Sequence, residues 1–190
     1  MQYNANRRVE RDKLPLQVVR GYSPTEPNKL SVLLPSIDDE AIKEGMLVVR
    51  KTGTIGGVTS QIGFKKSAAA DSQTYTSVYI ALHDQDSHDV QEAGGKLVGL
   101  DCSDDYEVQT GYFDADGTAF AVDDPLTVGA DGVVVLADAP GDVIIGRISA
   151  IGEGSVGEFA YNGKTPSTSV ANATFIQFKT CQSGAVIPAS

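Results

Sequence analysis

Along most of this 190-residue chain, apolar residues cluster in short strand-like segments of three to eight residues, separated by turn-forming residues at regular intervals. None sustains the three-to-four-residue spacing of an amphipathic helix of normal length, which leaves no element able to form a βαβ crossover. Strands are expected at 46–50, 75–82, 96–100, 106–112, 118–122, 126–128, 133–137, 143–150 and 174–179. Asp116-Gly117, Ala130-Asp131-Gly132 and Ala139-Pro140-Gly141-Asp142 supply turns between them, because Gly accepts positive φ and Asp bonds its own backbone. In 75–82 the alternation places Thr76, Val78, Ile80 and Leu82 on the core face, with Tyr75, Ser77, Tyr79 and Ala81 opposite. Residues 52–57 read as a turn-rich interruption, and 65–73 and 157–170 as polar loops. One short helix is expected at 36–44, where Ser36 would cap, Asp38, Asp39 and Glu40 suit a helix N-terminus, and Gly45 ends it. The fold class is therefore mainly β: a small barrel or sandwich with at most one short helix.

Charge divides the chain differently. Residues 1–66 hold eleven of the fifteen Lys and Arg but seven of the twenty-five Asp and Glu, a net of +4; the remainder carries 4 − 18 = −14. The first 35 residues contain Pro15, Pro24, Pro27, Pro35 and Gly21, which interrupt helix formation and keep the preceding residues extended. They read as an extended N-terminal arm, 1–35, ahead of a β-rich body, 36–190. The arm's candidate binding residues are Arg7, Arg8, Arg11, Lys13, Leu14, Leu16, Val18, Val19 and Arg20, with Leu30, Val32, Leu33 and Leu34 as further apolar grip. A segment of this composition orders by lying on another surface, and a solvated terminus is the plainer alternative. Glu10 and Asp12 dilute the basic cluster, which argues against nucleic acid as the partner. No apolar stretch follows the basic residues as in a signal peptide, and no run approaches the ~20 apolar residues of a membrane span.

Catalytic and metal chemistry find little footing. Both histidines lie in His83-Asp84-Gln85-Asp86-Ser87-His88-Asp89, the stretch densest in ligand types, yet its spacing matches no zinc motif. Asp114-Ala115-Asp116-Gly117-Thr118 begins like a calcium loop, but Ala119 stands at the sixth position and Pro125 at the twelfth, where Gly and a bidentate Glu belong. Gly154-Ser155-Val156-Gly157 lacks the order of a nucleophile elbow, and Gly53-Thr54-Ile55-Gly56-Gly57 lacks the Lys-Ser/Thr of a phosphate loop. Adjacent acids such as Asp38-Asp39, Asp104-Asp105 and Asp123-Asp124 point to opposite faces of a strand. Cys102 and Cys181 form no C-x-x-C pair; a disulfide between them is left open, with two reduced thiols as the default. The expectation is a non-enzyme without cofactor or metal.

The span 42–151 resembles the body of tailed-phage capsid decoration proteins, also called cement or head-stabilising proteins. The likeness rests on Lys43-Glu44-Gly45-Met46-Leu47-Val48-Val49, on Val78-Tyr79-Ile80-Ala81-Leu82 with its Asp-rich sequel, and on Gly94-Gly95-Lys96-Leu97-Val98-Gly99-Leu100. It continues through Asp124-Pro125-Leu126-Thr127-Val128, Gly132-Val133-Val134-Val135-Leu136 and Gly141-Asp142-Val143-Ile144-Ile145-Gly146-Arg147-Ile148. The resemblance implies a β-tulip-like body that binds the capsid exterior, with the major capsid protein as partner, a homo-oligomer with the trimer favoured, and no catalytic residues. It implies a virion protein on the capsid surface, made in the host cytoplasm, without nucleic-acid or membrane partners. Other readings stay open: a tail-tube, adaptor or other ring subunit of a phage particle, and a carbohydrate- or receptor-binding module. The last would need exposed aromatics in a groove, whereas Tyr22, Tyr75, Tyr79, Tyr106, Tyr112 and Tyr161 are scattered.

Overall fold

The computed structural model describes residues 17–20, 31–38, 40–74, 77–82, 96–102, 106–114, 120–152, 175–181 and 186–188. The protein is mainly β, and among the described residues there is no α-helix. Among the described residues eleven strands run in chain order as β1 (Gln17–Arg20), β2 (Ser31–Pro35), β3 (Leu47–Ile55), β4 (Val58–Lys66), β5 (Val78–Ala81), β6 (Lys96–Asp101), β7 (Glu107–Thr110), β8 (Pro125–Val128), β9 (Val134–Leu136), β10 (Gly146–Gly152) and β11 (Phe175–Thr180). They build a six-stranded sheet of order β1-β7-β11-β10-β8-β9 and a five-stranded sheet of order β2-β6-β5-β3-β4. Every pairing within them is antiparallel.

The main core lies where the two sheets face each other. Leu47, Val49, Val78, Ile80 and Leu100 from the five-stranded sheet join Val108, Leu126, Val128, Val134, Ile148, Ile176 and Phe178 from the other, together with Tyr106 and Phe120 from the connections. Val78 and Ile80 thus face the core as their alternation requires. The opposite face of β5 is buried too, because Tyr79 and Ala81 belong to a second cluster with Ile42, Val48, Phe64 and Leu97.

That second cluster exists because the five-stranded sheet curls on itself. Directly after β2, Ser36 forms a parallel bridge with Phe64 of β4, joining the sheet's two edges. Ile37 N–H donates to the Phe64 carbonyl at 3.0 Å, and Asp38 N–H to that of Thr54 at 2.8 Å. Close passage across the hairpin needs glycine: a Cβ on Gly63 would strike the Ile37 side chain and lie 2.5 Å from the Pro35 carbonyl oxygen, and one on Gly99 would lie 2.5 Å from the Phe64 ring. The Phe64 and Tyr79 rings pack tilted, with centroids 5.1 Å apart.

Segment 36–44 is therefore a strap, and the expected helix is absent from its described residues. An N-cap hydroxyl accepts a bond from an N–H one turn on. The Ser36 hydroxyl instead donates, to the Glu40 carbonyl at 2.8 Å. Ile37 and Ile42 are both fully buried, five residues apart, and the chain reaches a positive φ of 57° at Asp38. Two further expectations need correction. Residues 52–57 do not interrupt a strand, since β3 runs to Ile55, turns at Gly56-Gly57 and returns as β4 through Lys66. Within 118–122, the described residues Phe120, Ala121 and Val122 form no strand; Phe120 is buried as a core plug, while Val122 lies in an exposed turn.

Candidate interaction surfaces

The two N-terminal strands sit at sheet edges, and at edges of different sheets. Among the described residues β1 pairs only with β7, through Gln17 opposite Gln109, Val18 opposite Val108 and Arg20 opposite Glu107, with a register shift between Val18 and Arg20. β2 pairs with β6 over its whole length, from Ser31 opposite Leu100 to Pro35 opposite Lys96. Pro35 is tolerated at an edge because the missing backbone donor would have had no ladder partner.

Of the arm's candidate residues, Arg7, Arg8, Arg11, Lys13, Leu14 and Leu16 lie outside the described residues, as does Leu30. Val18, Val19 and Arg20 lie on β1. Val32 and Leu34 pack against the second core, so these two serve the chain's own fold. Leu33, on the alternate face of β2, is 58 % exposed. The loop from His83 to Asp89 and the residues 115–119 of the calcium-like stretch also lie outside the described residues.

A second surface went unread in the sequence. The β3–β4 hairpin is paired from Val48 opposite Lys66 out to Ile55 opposite Val58. β5 lines only its root, opposite Leu47, Val48 and Val49. Beyond Arg50 the two strands extend past β5, with the strap lying against Gly53, Thr54 and Gly63. Gly56 and Gly57, with φ of 55° and 81°, form the tight two-residue turn whose twist suits a hairpin. Val58 is 57 % and Ile62 50 % exposed. Residues 52–64 carry no charge at all, and Arg50, Lys51, Lys65 and Lys66 flank this neutral stretch. The available signals were the Gly-Gly turn and the break in charge; the apolar pattern was silent because most of β4 faces solvent.

Ion pairs brace the hairpin's root. Lys51 Nζ donates to both carboxylate oxygens of Asp71, at 2.7 and 3.0 Å. Asp71, buried in the 3-10 turn Ala69–Gln73, also accepts from the Ala68 N–H at 2.8 Å. On the strap side, Asp38 accepts from the Thr54 N–H at 2.9 Å and from Lys65 Nζ at 3.0 Å, while Glu40 accepts from the Lys66 N–H at 2.8 Å. The Thr54 amide and then the Lys65 ammonium hold the Asp38 carboxyl below the usual carboxylate range; the hydrogen bond to Asp38 in turn raises the Lys65 ammonium.

A depressed carboxylate stabilises the fold above its unfolded value of 3.8, and that contribution is lost as pH falls through the lower folded value. Asp38→Asn is therefore expected to destabilise at pH 6 by no more than about 1 kcal/mol, because the pair is solvent-screened. The difference from wild type should narrow as pH falls below 3.8. Urea midpoints measured at pH 6 and on descending below 3.8 check this.

The cysteines are free thiols, Cys102 buried and Cys181 half-buried. Burial pushes both thiols up, Cys102 well up, which keeps them protonated and poor nucleophiles. Among the described residues no three His, Cys, Asp or Glu gather as metal ligands, and no helix is long and apolar enough to cross a membrane. On the six-stranded sheet, Gln109 is fully buried with both amide atoms unbonded, while its neighbour Gln177 donates to Glu107 at 2.8 Å. No family model, curated protein or solved structure matches the chain.

Proposed function

We propose that the chain is a structural virion protein that binds the outer surface of a phage capsid and stabilises contacts between neighbouring capsomers through its β-body and N-terminal arm. The observation that supports it most is the placement of β1 and β2. Both N-terminal strands are added at the rim of a sheet, one to each sheet, so the leader already works by strand addition. The same backbone chemistry would let residues ahead of Gln17 add to an open edge of the major capsid protein. Arg7, Arg8, Arg11 and Lys13 would favour encounter with an acidic shell, and Leu14 and Leu16 would supply lasting grip, while Val18, Val19 and Arg20 anchor the arm to the body through β1. Many copies on one shell multiply a weak individual contact.

The test is co-sedimentation with preassembled shells. Removing residues 1–16 leaves β1 and both sheets in place, so the truncated chain should keep its thermal unfolding transition. Its affinity for shells should fall at least about tenfold, the equivalent of 1.4 kcal/mol per copy. Full occupancy by the truncated chain would overturn the role given to the arm.

A further inference from the structure

β1 is attached to the fold more loosely than the strands around it. Its neighbour β7 is held on the other side by β11 along its whole length, from Glu107 opposite Lys179 to Thr110 opposite Ile176, so β7 keeps its place with or without β1. β2 is likewise secured without β1, through five partners on β6 and the seam that follows at Ser36. Among the described residues β1 has three ladder partners, all on β7, and no strand on its far side. It is a separable piece, joined to the body's own chain by residues 21–30.

The pairing that β1 makes within its own chain is also imperfect. The register shifts between Val18 and Arg20, so Val19 has no residue opposite. Gln109, which stands opposite Gln17, is fully buried with both amide atoms unbonded. A buried amide in that state has lost its hydration and gained no partner in return. On the β11 side its neighbour Gln177 is already engaged, donating to Glu107. Relief can therefore come from the β1 side, through a strand seated in a more regular register. A β1 delivered by another chain is not held to the register that its own connection to Ser31 allows.

We infer that β1 is exchanged between adjacent copies on the shell: residues 17–20 of one copy pair with β7 of a second copy of this chain. The second copy is the fitting occupant because its β1 carries the very sequence that this edge already accepts, Val18 against Val108 and Arg20 against Glu107. Such an exchange remakes each lost contact with the same residues, which is why swapping is a low-cost route to assembly. Concentration then decides. In dilute solution each chain keeps its own β1, whose tether gives it an effective concentration of about millimolar. Copies fixed side by side on a shell have their neighbours' β1 tethered close by as well. The ten residues 21–30 span at most about 33–36 Å, which confines the exchange to adjacent copies. Pro24 and Pro27 favour extension of that connection. The inference rests on the capsid reading and adds to it a link from copy to copy.

The experiment places a cysteine pair across β1 and β7 of the full-length chain, as Gln17→Cys with Gln109→Cys. Residues directly opposite in an antiparallel pair lie about 4.5–5.5 Å apart at Cα, within disulfide reach. Oxidised in dilute solution, the variant should run as a monomer on a non-reducing denaturing gel. Bound to preassembled shells before oxidation, most chains should run as covalent dimers and larger species. Mixing isotope-labelled and unlabelled copies should give peptides joining position 17 of one to position 109 of the other. Arg20→Cys with Glu107→Cys, also directly opposite, is the second pair should the first fold poorly, and should behave alike. Wild type, with its free Cys102 and Cys181, should give no linked chains on shells. Shell-bound protein with links within single chains only overturns the inference and leaves the capsid reading standing. So does shell-bound protein with neither link, which would mean that a shell strand has taken the β7 edge. A chain that does not bind shells overturns both.

Discussion

Phe64→Ala should cost about 3–5 kcal/mol, the range for truncating a fully buried aromatic side chain. Phe64 has no exposed surface, packs against Tyr79 and fills the space that Gly99 leaves free. Its backbone carbonyl also receives the Ile37 N–H, so the ring and the seam belong to one structure. Neighbours cannot collapse into the void easily, since Val48, Leu97 and Ala81 are held by ladder bonds on three different strands. Urea unfolding should show a large fall in midpoint. Val58→Ala, on the exposed part of the same strand, should lie within about 0.5 kcal/mol of wild type. Equal effects at the two positions would mean that the second core is not a packed core.

Gly63→Val should be at least as damaging, for a different reason. The new side chain would meet Ile37 and the Pro35 carbonyl, and backbone cannot step aside as a flexible side chain can. Relief requires lifting the strap from β4, which breaks the Ser36–Phe64 bridge and the Ile37 and Asp38 amide bonds. A loss of about 3 kcal/mol or more is expected, at the upper end of overpacking costs. Amide exchange at Ile37 and Asp38 should accelerate more than at Ile148 in the main core. Gly57→Ala is the control: its φ is 81° but nothing lies near the added Cβ, so backbone strain of about 1 kcal/mol is the whole effect. Similar results from the two glycines would refute the close crossing at the seam.

The seam also explains which parts of the fold were legible in the sequence. Strands facing the main core announced themselves through alternation, as Val78 and Ile80 did, or through short apolar runs ending in Gly and Asp turns, as 126–128 and 133–137 did. β5 was misjudged on one face only. Tyr79 and Ala81 look like the wet side of a half-buried strand, and become core because the sheet closes over them, a long-range event with no local signature. β2 was hidden by the Pro-rich context that makes 1–35 read as an arm, yet Pro35 at the end of an edge strand costs no ladder bond. The strap was mistaken for a helix because Ser, three acids and a Gly are helix-end chemistry wherever they fall. There, Asp38 and Glu40 bond strand backbone and lysines instead.

The surfaces were legible in charge more than in pattern. The basic leader and acidic body stand out from composition alone, and the apolar residues of the leader were read together. The structure separates them: Val32 and Leu34 belong to the second core, and Leu33 to the surface. The hairpin escaped notice because exposure erases the alternation by which strands are recognised, leaving only Gly56-Gly57 and thirteen uncharged residues as its trace.

The proposed capsid-fastening role is open to a cryo-EM map of shells saturated with the full-length protein. The two-sheet body is expected on the outer surface, with continuous density for residues ahead of Gln17 laid along a neighbouring capsid subunit. Shells that carry none of the protein, or bodies seated on shells with the leader touching only its own chain, would contradict it.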